Sequence, residues 1–193
     1  RKLVLPVGPV SITGVVNGTF WGIMITRKLH IPEQFIAIYP TLRSVVMLIF
    51  FFGVLPRISS RPFRYPMLVG LAGFIFSQLL LVAIPGTDLG LLATGFLLGV
   101  VTLLEACSAA LVGPFTDSML AATVEAAERA RILSILYVIV IVISTPFGWI
   151  AGQLSEINRV LPFVMNMGLY SLGSGLVLLA AHTARQQVME TGI

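Results

Sequence analysis

The chain has 193 residues, of which 57% are hydrophobic and only 10% are charged, and its mean hydropathy is +1.00. Soluble domains carry about 25% charged residues, and a globule of this size could not hide so much apolar surface from water. The composition therefore excludes an ordinary soluble domain and indicates an integral membrane protein.

The net charge of +4 comes from basic residues that lie in short clusters between apolar runs. This distribution is typical of membrane topology determinants and lacks the continuous basic face that nucleic-acid binding requires. Cys107 is the single cysteine, which excludes an internal disulfide. We expect no bound metal, no cofactor and no nucleic-acid partner.

Six apolar segments are long enough to cross a bilayer, which requires about 20 residues in a helix. Prolines and glycines within them are compatible with membrane helices. The sequence therefore predicts an all-α membrane protein, with residues 1–193 forming a single bundle of six transmembrane helices. The predicted spans are 3–26, 34–56, 65–84, 89–112, 131–154 and 160–181.

Basic residues divide unevenly between the two sides of the predicted bundle. Eight lie on the side of the two termini and three on the other, which by the positive-inside rule puts both termini in the cytoplasm. The first span begins almost at once and no methionine precedes it, so we expect the chain to be part of a longer polypeptide. The larger set is Arg1, Lys2, Arg57, Arg61, Arg64, Arg129, Arg131 and Arg185, and the smaller is Arg27, Lys28 and Arg159.

Three GxxxG pairs fall on the first, fourth and fifth predicted spans. Small residues one turn apart let two helix backbones approach closely, so we interpret the pairs as helix-packing sites. Spans one and four would be equivalent if the six helices formed two inverted repeats of three, which is a transporter arrangement. The pairs are Gly14 with Gly18, Gly95 with Gly99, and Gly148 with Gly152.

Polar residues inside the spans give the clearest indication of a site. Thr13, Asn17 and Trp21 recur every four residues on span one and form one stripe. A polar stripe facing lipid is costly, so it faces either a water-filled path or hydrogen-bonding partners on other helices. The sequence leaves both interpretations open.

Arg43 in span two and Glu105 in span four are the two formal charges inside the predicted spans. A cation in lipid requires a carboxylate, carbonyl groups, water or an anionic ligand to offset its desolvation. Helix rise separates the two residues by about 10 Å along the membrane normal, so a direct pair needs long side chains, tilt or water. The other polar residues in the spans are interpreted as local packing partners: Gln78, Tyr137, Ser144, Thr145 and Asn166.

The polar residues within and beside the predicted spans give no support for an enzyme. An intramembrane serine protease needs a histidine deep in the membrane, whereas His30 and His182 lie at span ends. Paired intramembrane aspartates are missing, since Asp88 and Asp117 flank span four. The sequence also lacks a glycine-rich phosphate loop ending in Lys-Ser or Lys-Thr. We therefore expect a non-enzymatic protein that uses no ATP.

Two stretches resemble the C-terminal half of a major facilitator superfamily transporter. GVLPRISSRPFRYPMLVG, at 53–70, is similar to the family's cytoplasmic loop motif between the second and third helices. ERARILSILYVIVIVISTPFGWIAGQL, at 128–154, resembles the penultimate helix, and the following apolar segment resembles the final one. Gly53, Leu55 and Arg61 match the loop motif, whereas Arg57, Ser60 and Pro62 depart from it.

The resemblance covers essentially the whole chain and implies two inverted three-helix repeats that face an N-terminal six-helix half. In that family the first and fourth helices of each half line the central path, the second and fifth meet the other half, and the third and sixth face lipid. The resemblance thus implies that Glu105 and the stripe on span one line a cavity. It places Arg43 on a helix at the boundary between the halves.

The expected function is secondary active transport of a small solute by alternating access, with proton coupling through Glu105 as a hypothesis. The alternative is a membrane interaction protein with a transporter-like fold and no transport, in which Arg43 and Glu105 have structural roles. The expected partners are the N-terminal half, a small-molecule substrate and the lipid bilayer. The expected location is the inner membrane of a bacterium.

Overall fold

A computed structural model describes residues 7–27, 38–58, 64–86, 90–123 and 129–191. Within these ranges the chain forms only helices, which confirms the predicted all-α class. The helices are α1 (Val7–Arg27), α2 (Ile38–Gly53), α3 (Leu55–Ile58), α4 (Arg64–Ala83), α5 (Leu91–Thr123), α6 (Arg129–Ile157) and α7 (Leu161–Thr191), and a 3-10 turn (Ile84–Gly86) follows α4.

Four of these helices contain segments long and apolar enough to cross a membrane, which indicates a membrane-embedded protein. The helix α2 is apolar but shorter. The helix α1 has a suitable length, but glycine, threonine and asparagine residues lower its hydropathy. Six spans therefore stay a prediction. The four segments are Tyr65–Ala83, Leu92–Ser118, Tyr137–Ile157 and Leu161–Leu179.

Proline lies in the first turn of four of the long helices. The prolyl ring fixes φ near the helical value, and the N–H that proline lacks would have no intrahelical partner at this position. Proline therefore favours the start of a helix. These residues are Pro9 in α1, Pro40 in α2, Pro66 in α4 and Pro162 in α7.

The helix α5 extends well beyond the predicted span 89–112. It continues through Pro114 to Thr123. Hydropathy marks the part of a helix that lies in lipid, whereas backbone hydrogen bonding continues into the more polar segment that follows. The end of the apolar run and the end of the helix are therefore different positions.

Two residues of the predicted loop motif meet at the end of α2. The guanidinium of Arg57 donates a hydrogen bond to the carbonyl oxygen of Gly53, which is among the last carbonyl groups of the helix. A positive charge is favourable at a helix C-terminus. In this structure Arg57 caps α2, while Arg61 lies outside the described residues.

The long helices pack in a defined order. The helix α2 lies against α5, α5 against α4, α4 against α7 and α7 against α1, while α6 packs on α1 and α7. The helices α2 and α6 are therefore at the edges of the bundle, where both expose large apolar side chains. Examples are Ile49 and Phe52 on α2, and Val142 and Trp149 on α6.

The core consists of two apolar clusters separated by a polar layer. Along α4 and α5, buried Gln78 and Glu105 lie between the residues of one cluster and those of the other. Lipid-embedded bundles need no polar core for solubility, so a polar layer inside one requires its own explanation. The first cluster includes Met24, Leu81 and Val101, and the second includes Leu71, Phe74 and Val112.

A close glycine contact joins α4 to α5, at positions the GxxxG pattern did not mark. A Cβ atom at Gly70 would lie 2.6 Å from Val112 Cγ2 and 3.2 Å from the carbonyl oxygen of Ser108. A Cβ atom at Gly73 would overlap the hydroxyl of Ser108. These distances show that α4 and α5 approach each other closely because both residues lack side chains.

The six GxxxG glycines do not make such a contact among the described residues. A Cβ atom on any of Gly14, Gly18, Gly99, Gly148 and Gly152 would meet open space. At Gly95 it would meet the hydroxyl oxygen of Tyr39 at an ordinary distance of 3.9 Å. The expected packing role is therefore not observed within this part of the chain.

We predict that Gly70→Ala destabilises the 193-residue chain by about 1–3 kcal/mol, because the added methyl group overpacks the contact with α5. The matched control Gly148→Ala adds the same group where nothing lies within 4 Å and should be neutral or stabilising by up to about 1 kcal/mol, because alanine favours a helix interior over glycine. Thermal unfolding in detergent measures both. Equal melting temperatures for the two variants would contradict the contact.

Candidate functional site

Glu105 lies in the middle of α5, and its side chain is only 2% exposed. Its Oε1 atom accepts hydrogen bonds from Asn17 Nδ2 at 2.6 Å and from Gln78 Nε2 at 2.9 Å. Gln78 Nε2 also donates to Asn17 Oδ1 at 3.3 Å. These three side chains, which we call the polar triad, connect α5, α1 and α4.

The polar triad provides the hydrogen-bond donors that a carboxyl group in an apolar core requires. A buried carboxylate without donors costs far more than a neutral polar group, and hydrogen bonds to an ionised acceptor are stronger than neutral ones. Two amide N–H groups provide such bonds without adding a second charge. Glu105 is therefore held by uncharged partners from two other helices.

Arg43 lies on α2, and its side chain is exposed. Its charge acts on Glu105 through space, and both residues border the same cavity. Among the described residues, however, the hydrogen bonds to Glu105 come from the two amides. The guanidinium is thus near the carboxyl group without holding it in a hydrogen-bonded pair.

A cavity of about 170 Å³ lies between α1, α2 and α5. A second cavity of about 210 Å³ adjoins it and extends towards Phe74 and Tyr170. Asn17, Gly18 and Arg43 border both cavities, so the arginine lies where the two meet. The first cavity is also lined by Trp21, Tyr39, Pro40, Thr102 and Glu105.

Aromatic pairs form the walls of both cavities. The rings of Trp21 on α1 and Tyr39 on α2 meet edge to face, with centroids 5.5 Å apart and an interplanar angle of 73°. The rings of Phe74 on α4 and Tyr170 on α7 are stacked, with centroids 4.8 Å apart. Both geometries are favourable for aromatic rings. Each pair therefore fixes the spacing of two helices beside the cavity.

The structure brings together most of the residues that the sequence singled out. Asn17, Trp21, Arg43 and Glu105 all line the first cavity. Thr13 is buried one turn before Asn17, where its hydroxyl donates to the carbonyl oxygen of Val10 at 2.8 Å and also lies within hydrogen-bonding reach of Tyr170 on α7. Thr13 therefore belongs to the stripe without a hydrogen bond to the triad.

Two glycines of the first GxxxG pair have a different role from the expected one. Gly14 borders the second cavity and Gly18 borders both. Since a Cβ atom at either position would enter open space, the missing side chains leave room beside Arg43. On α1 the small residues thus contribute volume to the cavity.

Sequence reasoning missed Gln78, which was interpreted as a local packing partner. The residue is fully buried and links α4 to both other members of the triad. Its presence in an apolar span was the available signal, because a carboxyl group at membrane depth needs donors and amide side chains supply them. Asn166, from the same group, is also fully buried, but neither of its amide atoms has a described partner.

The chain is a membrane-embedded helical bundle with a cavity that is bordered by two charged residues. Comparison of the chain with known protein families, characterised proteins and solved structures finds no match. The function is therefore argued from the geometry of the cavity and from the packing of the helices.

We predict that Gln78→Leu destabilises the chain by about 1–3 kcal/mol, because it removes a donor from a buried carboxyl group. Combining it with Glu105→Leu should cost less than the sum of the two single changes, since both partners are then replaced. The free energies of unfolding of the two single variants and the double variant, measured in mixed detergent, give this coupling.

Ser77 provides the matched control, because its hydroxyl donates to the carbonyl oxygen of Phe74 at 3.0 Å and is not part of the triad. Ser77→Ala should combine additively with Glu105→Leu, within about 0.5 kcal/mol. If Gln78→Leu is equally additive, the hydrogen bond between Gln78 and Glu105 contributes nothing.

Proposed function

We propose that the chain is the C-terminal six-helix half of a secondary transporter of the major facilitator class, which moves a small solute by alternating access. The observation that supports this proposal most directly is the cavity, which is bordered by a buried carboxyl group and an exposed guanidinium within a membrane-embedded bundle. Intramembrane charges are expensive and characteristically mark pathways for solutes or ions. Both termini are cytoplasmic in this proposal, as the distribution of basic residues favours.

The packing order supports two repeats of three helices, one formed by α1, α2 and α4 and the other by α5, α6 and α7. If the two repeats are equivalent, α1, α2 and α4 correspond to α5, α6 and α7. The contact of α2 with α5 then corresponds to that of α6 with α1. The contact of α4 with α5 likewise corresponds to that of α7 with α1, and the contact of α4 with α7 corresponds to itself. Each of these contacts is present, whereas within the described ranges the contact of α6 with α7 has no counterpart of similar extent between α2 and α4. Repeats with an odd number of spans run in opposite directions through the membrane, as in inverted-repeat transporters.

The edge positions of α2 and α6 support a missing second half. Within the bundle, only 11% of the membrane-crossing part of α6 is buried. In the proposed transporter the second and fifth helices of this half meet the N-terminal bundle, and these are α2 and α6. Their exposed apolar side chains would then contact helices as well as lipid.

The polar triad supports proton coupling. The Oε1 atom of Gln78 is buried and has no described donor, although it belongs to an amide that binds Glu105. A proton on Glu105 adds an O–H donor to the triad, whereas the ionised carboxylate has none to offer. The triad therefore has a use for either charge state of Glu105.

The alternative function is a non-transporting membrane interaction protein. The two amide hydrogen bonds to Glu105 favour it, because they give the carboxyl group a structural role that links three helices. The exposed guanidinium of Arg43 on the cavity favours transport instead, since a structural cation would be expected to have its partners within the fold. Flux measurements discriminate between the two.

We predict solute flux in proteoliposomes that contain both six-helix halves, and none in proteoliposomes that contain the 193 residues alone. One half supplies only one wall of the pathway, so it cannot open alternately to the two sides. Counterflow with a library of labelled solutes measures this. Flux through the isolated 193 residues would contradict the two-half architecture, and its absence with both halves present would favour the interaction protein.

We predict that Glu105→Gln in the complete protein abolishes accumulation driven by a proton gradient but preserves exchange of solute down its own gradient. Glutamine keeps the shape and can still accept hydrogen bonds from Asn17 and Gln78, but it cannot gain or lose the proton. Uptake with and without an imposed pH gradient separates the two activities. Wild-type accumulation by this variant would remove Glu105 from the coupling step.

A further inference from the structure

The two charges beside the cavity differ in their access to a ligand. Glu105 is 2% exposed and already accepts two amide hydrogen bonds, whereas Arg43 is exposed. Within the described part of the chain, Glu105 is also the only acidic residue that borders either cavity. The charge that a ligand in the cavity meets first is therefore positive.

The walls around Arg43 are largely apolar. Tyr39 precedes Arg43 by one helical turn and so lies on the same face of α2, with Pro40 beside it. Trp21 closes the wall from α1 through its edge contact with Tyr39. These three side chains present ring faces and edges, which favour an apolar and preferably planar body.

The cavity beside these rings has room for a body of that kind. Its volume is about 170 Å³, and an apolar cavity of about 150 Å³ holds one benzene molecule. Gly18 keeps the space open, because a Cβ atom there would meet nothing within 4 Å. The first cavity therefore fits one ring, and the adjoining cavity offers room for a substituent.

We propose that this cavity binds a small organic anion, with its oxyanion group on Arg43 and a ring-sized apolar body against Trp21, Tyr39 and Pro40. The planar guanidinium presents paired N–H donors that match the two oxygens of a carboxylate. This inference rests on the proposed transport function and names the substrate class. Glu105 stays bound to its amides and does not contact the anion.

Three probes of nearly equal shape and different charge test the proposal: benzoate, benzyl alcohol and benzylammonium. We expect the complete protein in detergent, titrated calorimetrically at fixed ionic strength, to bind benzoate at least about tenfold more tightly than the other two. Arg43→Gln should lower benzoate affinity about tenfold or more and leave benzyl alcohol unchanged. Arg43→Lys should have a benzoate affinity between those of wild type and Arg43→Gln, because lysine keeps the charge but lacks the paired N–H donors of the guanidinium.

Two further variants keep the outcome interpretable. Arg159→Gln removes a cation that borders a different surface pocket and should leave benzoate affinity unchanged. Gly18→Ala should reduce the binding of all three probes by narrowing the cavity, while its melting temperature should not fall, because the added Cβ atom meets nothing within 4 Å.

Several results would overturn the proposal. Unchanged benzoate affinity in Arg43→Gln would remove Arg43 from the site, and a preference for benzylammonium would show that Glu105 is the accessible charge. Flux of neutral or cationic solutes without benzoate binding would refute the anion class and leave the transport function intact. Benzoate binding without flux of any solute would instead refute transport and retain the site.

Discussion

The central interaction of the bundle is the pair of hydrogen bonds that Asn17 and Gln78 donate to Glu105. They join α1, α4 and α5 at one depth of the bundle, between two apolar clusters in which the helices could otherwise slide along one another. Apolar packing in lipid has little directional preference, whereas a buried carboxyl group accepts donors only in a narrow geometry. The triad therefore sets the axial register of three helices, and its members Asn17 and Glu105 line the cavity.

The accessibility of the Arg43 guanidinium follows from this arrangement. Because neutral amides satisfy Glu105, the guanidinium on α2 is not consumed in a hydrogen-bonded ion pair and stays exposed to the cavity. Gly14 and Gly18 of α1 border the same space and add no side chain beside the arginine. A buried acid held by amides, an exposed cation and two glycines on α1 together make a cavity with one accessible charge among largely apolar walls.

The sequence predicted the helices well because apolar length and proline position act locally. Each of the six apolar runs contains a long helix, and the largest discrepancy, the extension of α5 to Thr123, arose where the helix leaves the apolar region. Packing was predicted poorly. The GxxxG pattern pointed to Gly148 and Gly152, which have open surroundings, and passed over Gly70 and Gly73, which sit against α5. Spacing within one helix identifies a small-residue face but not the helix that covers it.

Composition alone predicts a helical, membrane-embedded chain, and the cost of a charge in lipid is enough to single out Arg43 and Glu105, because neither depends on a tertiary contact. Which groups bind Glu105, by contrast, is seen only in the folded bundle. Asn17 and Gln78 are separated by 61 residues, and their meeting depends on how far three helices are shifted and rotated against one another. A one-residue change of register turns a helix by about 100°, so no spacing rule along the chain can encode that contact.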